Sequence, residues 1–75
     1  MTPRPESPKI SNSVRELRAA AKLTQEELAQ RVGVTRVTIN CLENGVYQPS
    51  LELALKLARF FKRAVEDIFV LEERR

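Results

Sequence analysis

The sequence predicts an all-α fold, a compact five-helix bundle organised around a helix-turn-helix. Three observations predict it. Thr24 to Asn44 reads T-Q-E-E-L-A-Q-R-V-G-V-T-R-V-T-I-N-C-L-E-N, two capped helical patterns with almost nothing between them. On either side, apolar residues recur at intervals of three and four, the helical period. No alternation of period two survives for more than a few residues, and V-T-I is too short and too well capped for a strand, so no sheet is expected.

In the central unit, Thr24 is an N-cap residue with Glu27 three positions on, the reciprocal capping-box arrangement. Leu28, Ala29 and Val32 then share one face. Gly33 can stop the helix in a left-handed conformation without steric cost. Thr35 caps a second run with Ile39 and Leu42 inward, and Asn44-Gly45 is a turn pair. The two helices should span about 24–32 and 35–43. Two helices joined by a tight glycine-containing turn make a helix-turn-helix.

Residues 1–11 hold three of the four prolines, and no helix or strand is expected through Pro3, Pro5 and Pro8. The segment is assigned as a flexible arm, basic through Arg4 and Lys9. The domain proper covers residues 12–71. Its first helix should begin at Asn12 or Ser13, with Glu16 completing a second capping box, and run to about Ala21 or Lys22. Its buried stripe should be Val14, Leu17, Ala20 or Ala21, and Leu23. After the loop G-V-Y-Q-P, Ser50 caps a fourth helix whose apolar face is assigned to Leu51, Ala54, Leu55, Ala58 and Phe61. A short fifth helix covers Val65 to Phe69 or Leu71. Residues 72–75 form a charged tail.

Seventy-five residues suffice for one small domain, and an apolar content of 43% supports a single core. One cysteine, Cys41, and no histidine exclude a disulfide framework and the usual zinc ligand sets. There is one aspartate, no glycine-rich phosphate loop and no catalytic constellation, so neither an enzyme nor a cofactor or metal site is expected. No spanning or secretory segment is visible, which sets a cytoplasmic address as the expectation. The net charge is +3, and its distribution says more than its size. Residues 1–23 carry five basic and two acidic side chains, residues 50–63 four and one, while the last twelve carry two and four. Such a chain offers one face to a polyanion and turns another away.

The stretch L-T-Q-E-E-L-A-Q-R-V-G-V-T-R-V-T-I-N-C-L-E-N-G, together with P-S-L-E-L-A-L-K-L-A, closely resembles the DNA-binding domain of the Cro/C1-type repressors, the XRE family. The resemblance runs from about Val14 to Phe69. It implies a lambda-repressor-like five-helix domain that binds operator DNA, usually as a two-fold homodimer on palindromic half-sites. It places Gln25 against a backbone phosphate, and makes Ala29 and Gly33 the small residues that let two helices cross closely. It makes Thr35, Arg36, Val37, Thr38 and Cys41 the exposed face of the recognition helix, and pairs Glu43 with Arg18. Three residues depart from the family pattern: Val37 where glutamine is frequent, Lys62 where glycine is, and Ala64 where a serine cap is.

The residues themselves give a compatible assignment. Arg36, second in its helix, could take guanine O6 and N7 or a phosphate. Val37 is either a thymine-methyl contact or a marginal core residue. Thr38 and Cys41 lie along the same edge as base contacts, Thr38 with the alternative of bonding its own helix. Phosphate contacts are assigned to Gln25, Thr35, Asn40, Asn44 and Tyr47, the last with the alternative of covering the core. Phe61 is assigned to the core, and Phe60, Val70 and Leu71 to a dimer seam. The reading is a sequence-specific regulator of transcription on double-stranded DNA, a repressor-type homodimer that is weak without DNA. The alternative is an antitoxin or phage-type immunity component that also binds a toxin-type protein partner.

Overall fold

The computed structural model describes residues 9–72, the side chain of Lys9 excepted. Arg4 and the rest of the expected arm to residue 8, and the tail beyond Glu72, lie outside them. The order is β1 (Lys9–Asn12), α1 (Val14–Ala20), α2 (Gln25–Val32), α3 (Arg36–Glu43), α4 (Leu51–Phe61), α5 (Val65–Ile68) and β2 (Phe69–Glu72). The body is an all-α five-helix bundle, and a two-stranded ribbon closes it. That ribbon corrects several expectations: a small sheet is present where none was expected, Lys9–Ser11 are strand rather than arm, the fifth helix stops at Ile68, and Glu72 is strand rather than tail. β1 and β2 are antiparallel, with Ile10 opposite Leu71 and Asn12 opposite Phe69, and Ser13 N–H donates to the Ile68 carbonyl at 3.0 Å. Each strand is four residues long and finds its partner some sixty residues away, so neither carries a local signal of its own.

Caps fix the helix starts. Thr24 and Glu27 form the expected capping box, and Gly33 ends α2 with φ at 75°. Thr35 accepts from Thr38 N–H, and Ser50 from Leu53 N–H. At α1 the expected box between Ser13 and Glu16 does not form. Asn12 takes over: its Oδ1 accepts from Val14 N–H at 3.1 Å and its Nδ2 donates to the Leu42 carbonyl at 3.1 Å. Asn12 therefore stitches the start of α1 to α3. α5 begins at Ala64 without a side-chain cap, and Lys62 closes α4 with φ at 58°, a conformation glycine holds more cheaply.

The core gathers Val14, Leu28, Ala29, Val32, Ile39, Leu42, Leu53, Leu57, Ala58 and Ile68, with Leu17, Phe60, Phe61, Val65 and Phe69 packed against it. α4 is turned relative to the expected face: Leu53, Ala54, Leu57 and Ala58 point inward, while Leu51 and Leu55 are 74% and 53% exposed. Both sets recur at three and four, and α4 is apolar around most of its circumference, so its own spacing leaves the phase open. Ala20 and Ala21 face out, because α1 meets the core only through Val14 and Leu17. Phe60 and Phe61 are both half-buried, with rings edge to face and centroids 5.1 Å apart.

Candidate nucleic-acid interface

α3 buries Ile39 and Leu42 and turns the opposite face outward. On that face Arg36, Asn40 and Asn44 follow one line at intervals of four, with Val37 and Cys41 on the next. Val37 is 60% exposed, which removes the alternative of a core role. Cys41 and Thr38 are half-buried beside it. The Thr38 hydroxyl lies 3.0 Å from that of Thr35, so it joins the N-cap and does not bond its own helix carbonyls. Tyr47 is 40% exposed in the loop after α3.

One carboxylate in this region has been taken out of solvent. The Glu43 side chain is fully buried, and Arg18, itself 17% exposed, grips it through Nε at 2.6 Å and Nη2 at 3.1 Å. Arg18 also donates to the Leu23 carbonyl at 2.8 Å, locking the end of α1 to the same point. The expected Arg18–Glu43 pair is thus present, and it is larger than a pair. Gln25 Nε2 donates to Glu43 Oε1 at 3.0 Å and to Asn40 Oδ1 at 3.3 Å; Arg15 Nε stands 3.6 Å from Glu43 Oε1. Asn44 Nδ2 donates to Asn40 Oδ1 at 3.2 Å, and Arg15 Nη2 donates to Asn44 Oδ1 at 2.6 Å.

Three helices meet in this network, and it sets the orientation of α3. Burial alone pushes the Glu43 carboxyl up; hydrogen bonds from Arg18 and Gln25 and the charges of Arg18 and Arg15 more than offset it, holding the group below the usual glutamate range. The hydrogen bond to Glu43 is the main cause that raises the Arg18 guanidinium above its ordinary value. The exposed face of α3 consequently carries no carboxylate to repel phosphate.

Some assignments change in kind. Gln25, expected on a phosphate, spends both amide hydrogens on Asn40 and Glu43, so its amide nitrogen faces inward. Asn40 and Asn44 have their amide oxygens engaged inside the network. Gly33, expected as a close-packing residue, has only Lys56 Nζ at 3.9 Å from the place a Cβ would occupy. Its left-handed φ, not lack of space, is what calls for glycine. Phe60 does not join Val70 and Leu71. It lies on the α2 side of α4, with Arg31 Cζ 5.9 Å from its ring centroid, whereas Leu51 and Ala54 border a groove with Ile10 and Phe69 of the ribbon. Val70 and Leu71 are successive strand residues and point to opposite faces. Sequence reasoning left Arg15 without a role, although its spacing three residues before Arg18 is a usable signal for one face of α1, and it saw in Asn12 a cap for α1 but not the bond to the Leu42 carbonyl.

Among the described residues no group of three potential metal ligands occurs, and no helix is long and apolar enough to cross a membrane. Residues 14–68 match a family model described as helix-turn-helix. An uncharacterized HTH-type transcriptional regulator of Archaeoglobus fulgidus is 57% identical over 60 residues, covering 80% of this chain and 84% of that one. Among solved structures, the P22 c2 repressor protein in complex with a synthetic operator superposes with a TM-score of 0.68 at 28% identity, over 71% of this chain and 80% of that one. The restriction-modification controller protein C.AhdI from Aeromonas hydrophila gives 0.66 at 37% identity, over 72% and 78%.

Proposed function

We propose, since this chain belongs to the helix-turn-helix family in its Cro/C1 (XRE) type, that it regulates transcription by laying α3 in the major groove of a specific DNA site. One observation carries the reading: a short helix whose outer face, Arg36, Val37, Asn40 and Cys41, is free of carboxylate because Glu43 is folded inward onto Arg18. Arg36 stands at the N-terminal end of α3, the end that meets base edges in this mode of docking, and Val37 offers a methyl-contacting surface beside it. Phosphate contacts fall to Thr35, Asn44 and Tyr47 around the two ends of α3. Gln25 acts by seating Asn40 and Glu43, which is a positioning role.

Binding should fall steeply with salt, and a duplex selected from random sequence should be preferred over its scrambled form. Arg36→Ala should lose about 1–3 kcal/mol of discrimination at one base pair, leaving the others unchanged. Site-by-site binding profiles measure this. Equal affinity of the wild type for both duplexes at every salt would sink the reading, and an evenly spread loss in Arg36→Ala would move Arg36 to a phosphate.

Eight residues of recognition helix span few base pairs, so specificity calls for two copies on a pseudo-palindrome. The seam fits the groove beside the loop that follows α3, where Leu51 is exposed next to Ile10, Pro49 and Phe69, and Leu71 lies across from Ile10. A second copy seated there continues the contact surface along the duplex from the C-terminal end of α3. In sedimentation with the selected duplex, wild type should bind two copies and Leu71→Glu one at the same concentration. Val70→Glu, on the other face of the ribbon, should behave as wild type. Retained stoichiometry in Leu71→Glu rules out this seam.

A further inference from the structure

A second cationic surface lies outside the network and outside α3. Arg59, on the outer side of α4, borders three adjoining depressions: one with Lys62, Arg63 and Asp67, one with Glu52 and Lys56, and one with Lys56, Arg31 and Phe60. Five basic side chains thus share one surface with two acidic ones. Lys56 is paired with Glu52 at 2.9 Å. Among the described residues, Arg31, Arg59, Lys62 and Arg63 enter no ion pair. The negative poles of α2 and α4 both end here and account for a cation at each. That effect fades within one turn, so it does not reach Lys56, five residues before the end of α4, and one pole does not call for the three cations Arg59, Lys62 and Arg63 gathered at it.

The position of the patch is informative. Lys56 Nζ lies beside Gly33, in the turn that leads directly into Thr35 and Arg36. The patch therefore flanks the N-terminal end of α3, whereas the groove beside Pro49 and Leu51 flanks the other end. With two copies joined through that groove, the two patches stand at the outer ends of the complex.

We propose that Arg31, Lys56, Arg59 and Arg63 form a phosphate-binding surface for the duplex flanking the site that α3 reads, extending the contact outward by sequence-independent charge. The proposal rests on the reading of α3 given above. Its test compares the selected site alone with the same site flanked by about one helical turn on each side. The readout is the slope of log affinity against log salt, because longer duplexes also offer more positions. The wild type should be steeper on the longer duplex by roughly 2–3 per copy, at about 0.9 per phosphate neutralised. Arg31→Gln with Arg59→Gln and Arg63→Gln should remove most of that difference, Lys56 alone remaining, while leaving base preferences intact. The matching triple replacement by lysine, which keeps the charge, should preserve it, and thermal unfolding of both triples checks the fold.

Equal wild-type slopes on the two lengths, or a glutamine triple that keeps the difference, overturns the patch; the surface would then serve an acidic protein partner or none. Loss of preference for the selected sequence strikes the α3 reading instead. The same length comparison on scrambled duplexes still tests the patch in that case.

Discussion

Arg18→Met is expected to destabilise the domain by about 3–5 kcal/mol near neutral pH, the cost of stranding a buried carboxylate. The reason is the asymmetry of the pair. Arg18 keeps some access to solvent, but the Glu43 side chain has none, and its other partners are a neutral amide and Arg15 at 3.6 Å. A domain of this size has a total stability of roughly 0.05–0.15 kcal/mol per residue, so the substitution removes a large share of it. Urea unfolding measures the change, and a loss under about 1 kcal/mol would mean the pair contributes no more than an exposed one.

The pH dependence carries its own sign. In the wild type the Glu43 carboxyl is held below its unfolded value, so its contribution is present above the usual glutamate range and is lost as pH falls through the lower, folded value. In Arg18→Met, burial dominates and favours the protonated form. The gap between wild type and variant should therefore begin to narrow above the usual glutamate range, as the variant's carboxyl takes up a proton, and go on narrowing below it as the wild type loses its pair. A gap that stays constant or widens there contradicts a buried charge as the cause.

Leu57→Ala should cost about 2–5 kcal/mol, while Leu55→Ala, two residues earlier on the same helix, should stay within about 0.5 kcal/mol. Leu57 is fully buried in the central cluster, and Leu55 is 53% exposed. Truncating the first leaves a cavity that its neighbours fill only in part; truncating the second removes methyl groups already in water. Thermal or urea unfolding of the two variants reads the phase of α4 directly. Similar losses in both would show that α4 is turned otherwise than described.

The central unit was legible because its signals are local. Thr24 with Glu27, Gly33, Thr35 and Ser50 each act on backbone groups within a few residues, and they start or stop helices wherever the rest of the chain goes. The inward residues of α2 and α3 were legible too, since Leu28, Ala29 and Val32 share one face of α2, and Ile39 and Leu42 one face of α3; Val37, apolar but on the outer side of α3, was open until its exposure decided it. The Arg18–Glu43 pair came from resemblance, as its partners are twenty-five residues apart and no spacing rule joins them.

What only the tertiary structure decided is where two solutions were locally equal or where the partner is remote. α4 could bury either of two apolar faces, and packing against α2 and α5 selected Leu53 and Leu57 over Leu51 and Leu55. β1 and β2 exist because five helices bring the described ends of the chain side by side, and a strand has no hydrogen bonds to make until its partner arrives. Gln25 turned inward for the same reason. A first-turn glutamine has water or phosphate as its local choices, and only the folded domain sets a buried carboxylate 3.0 Å from its amide.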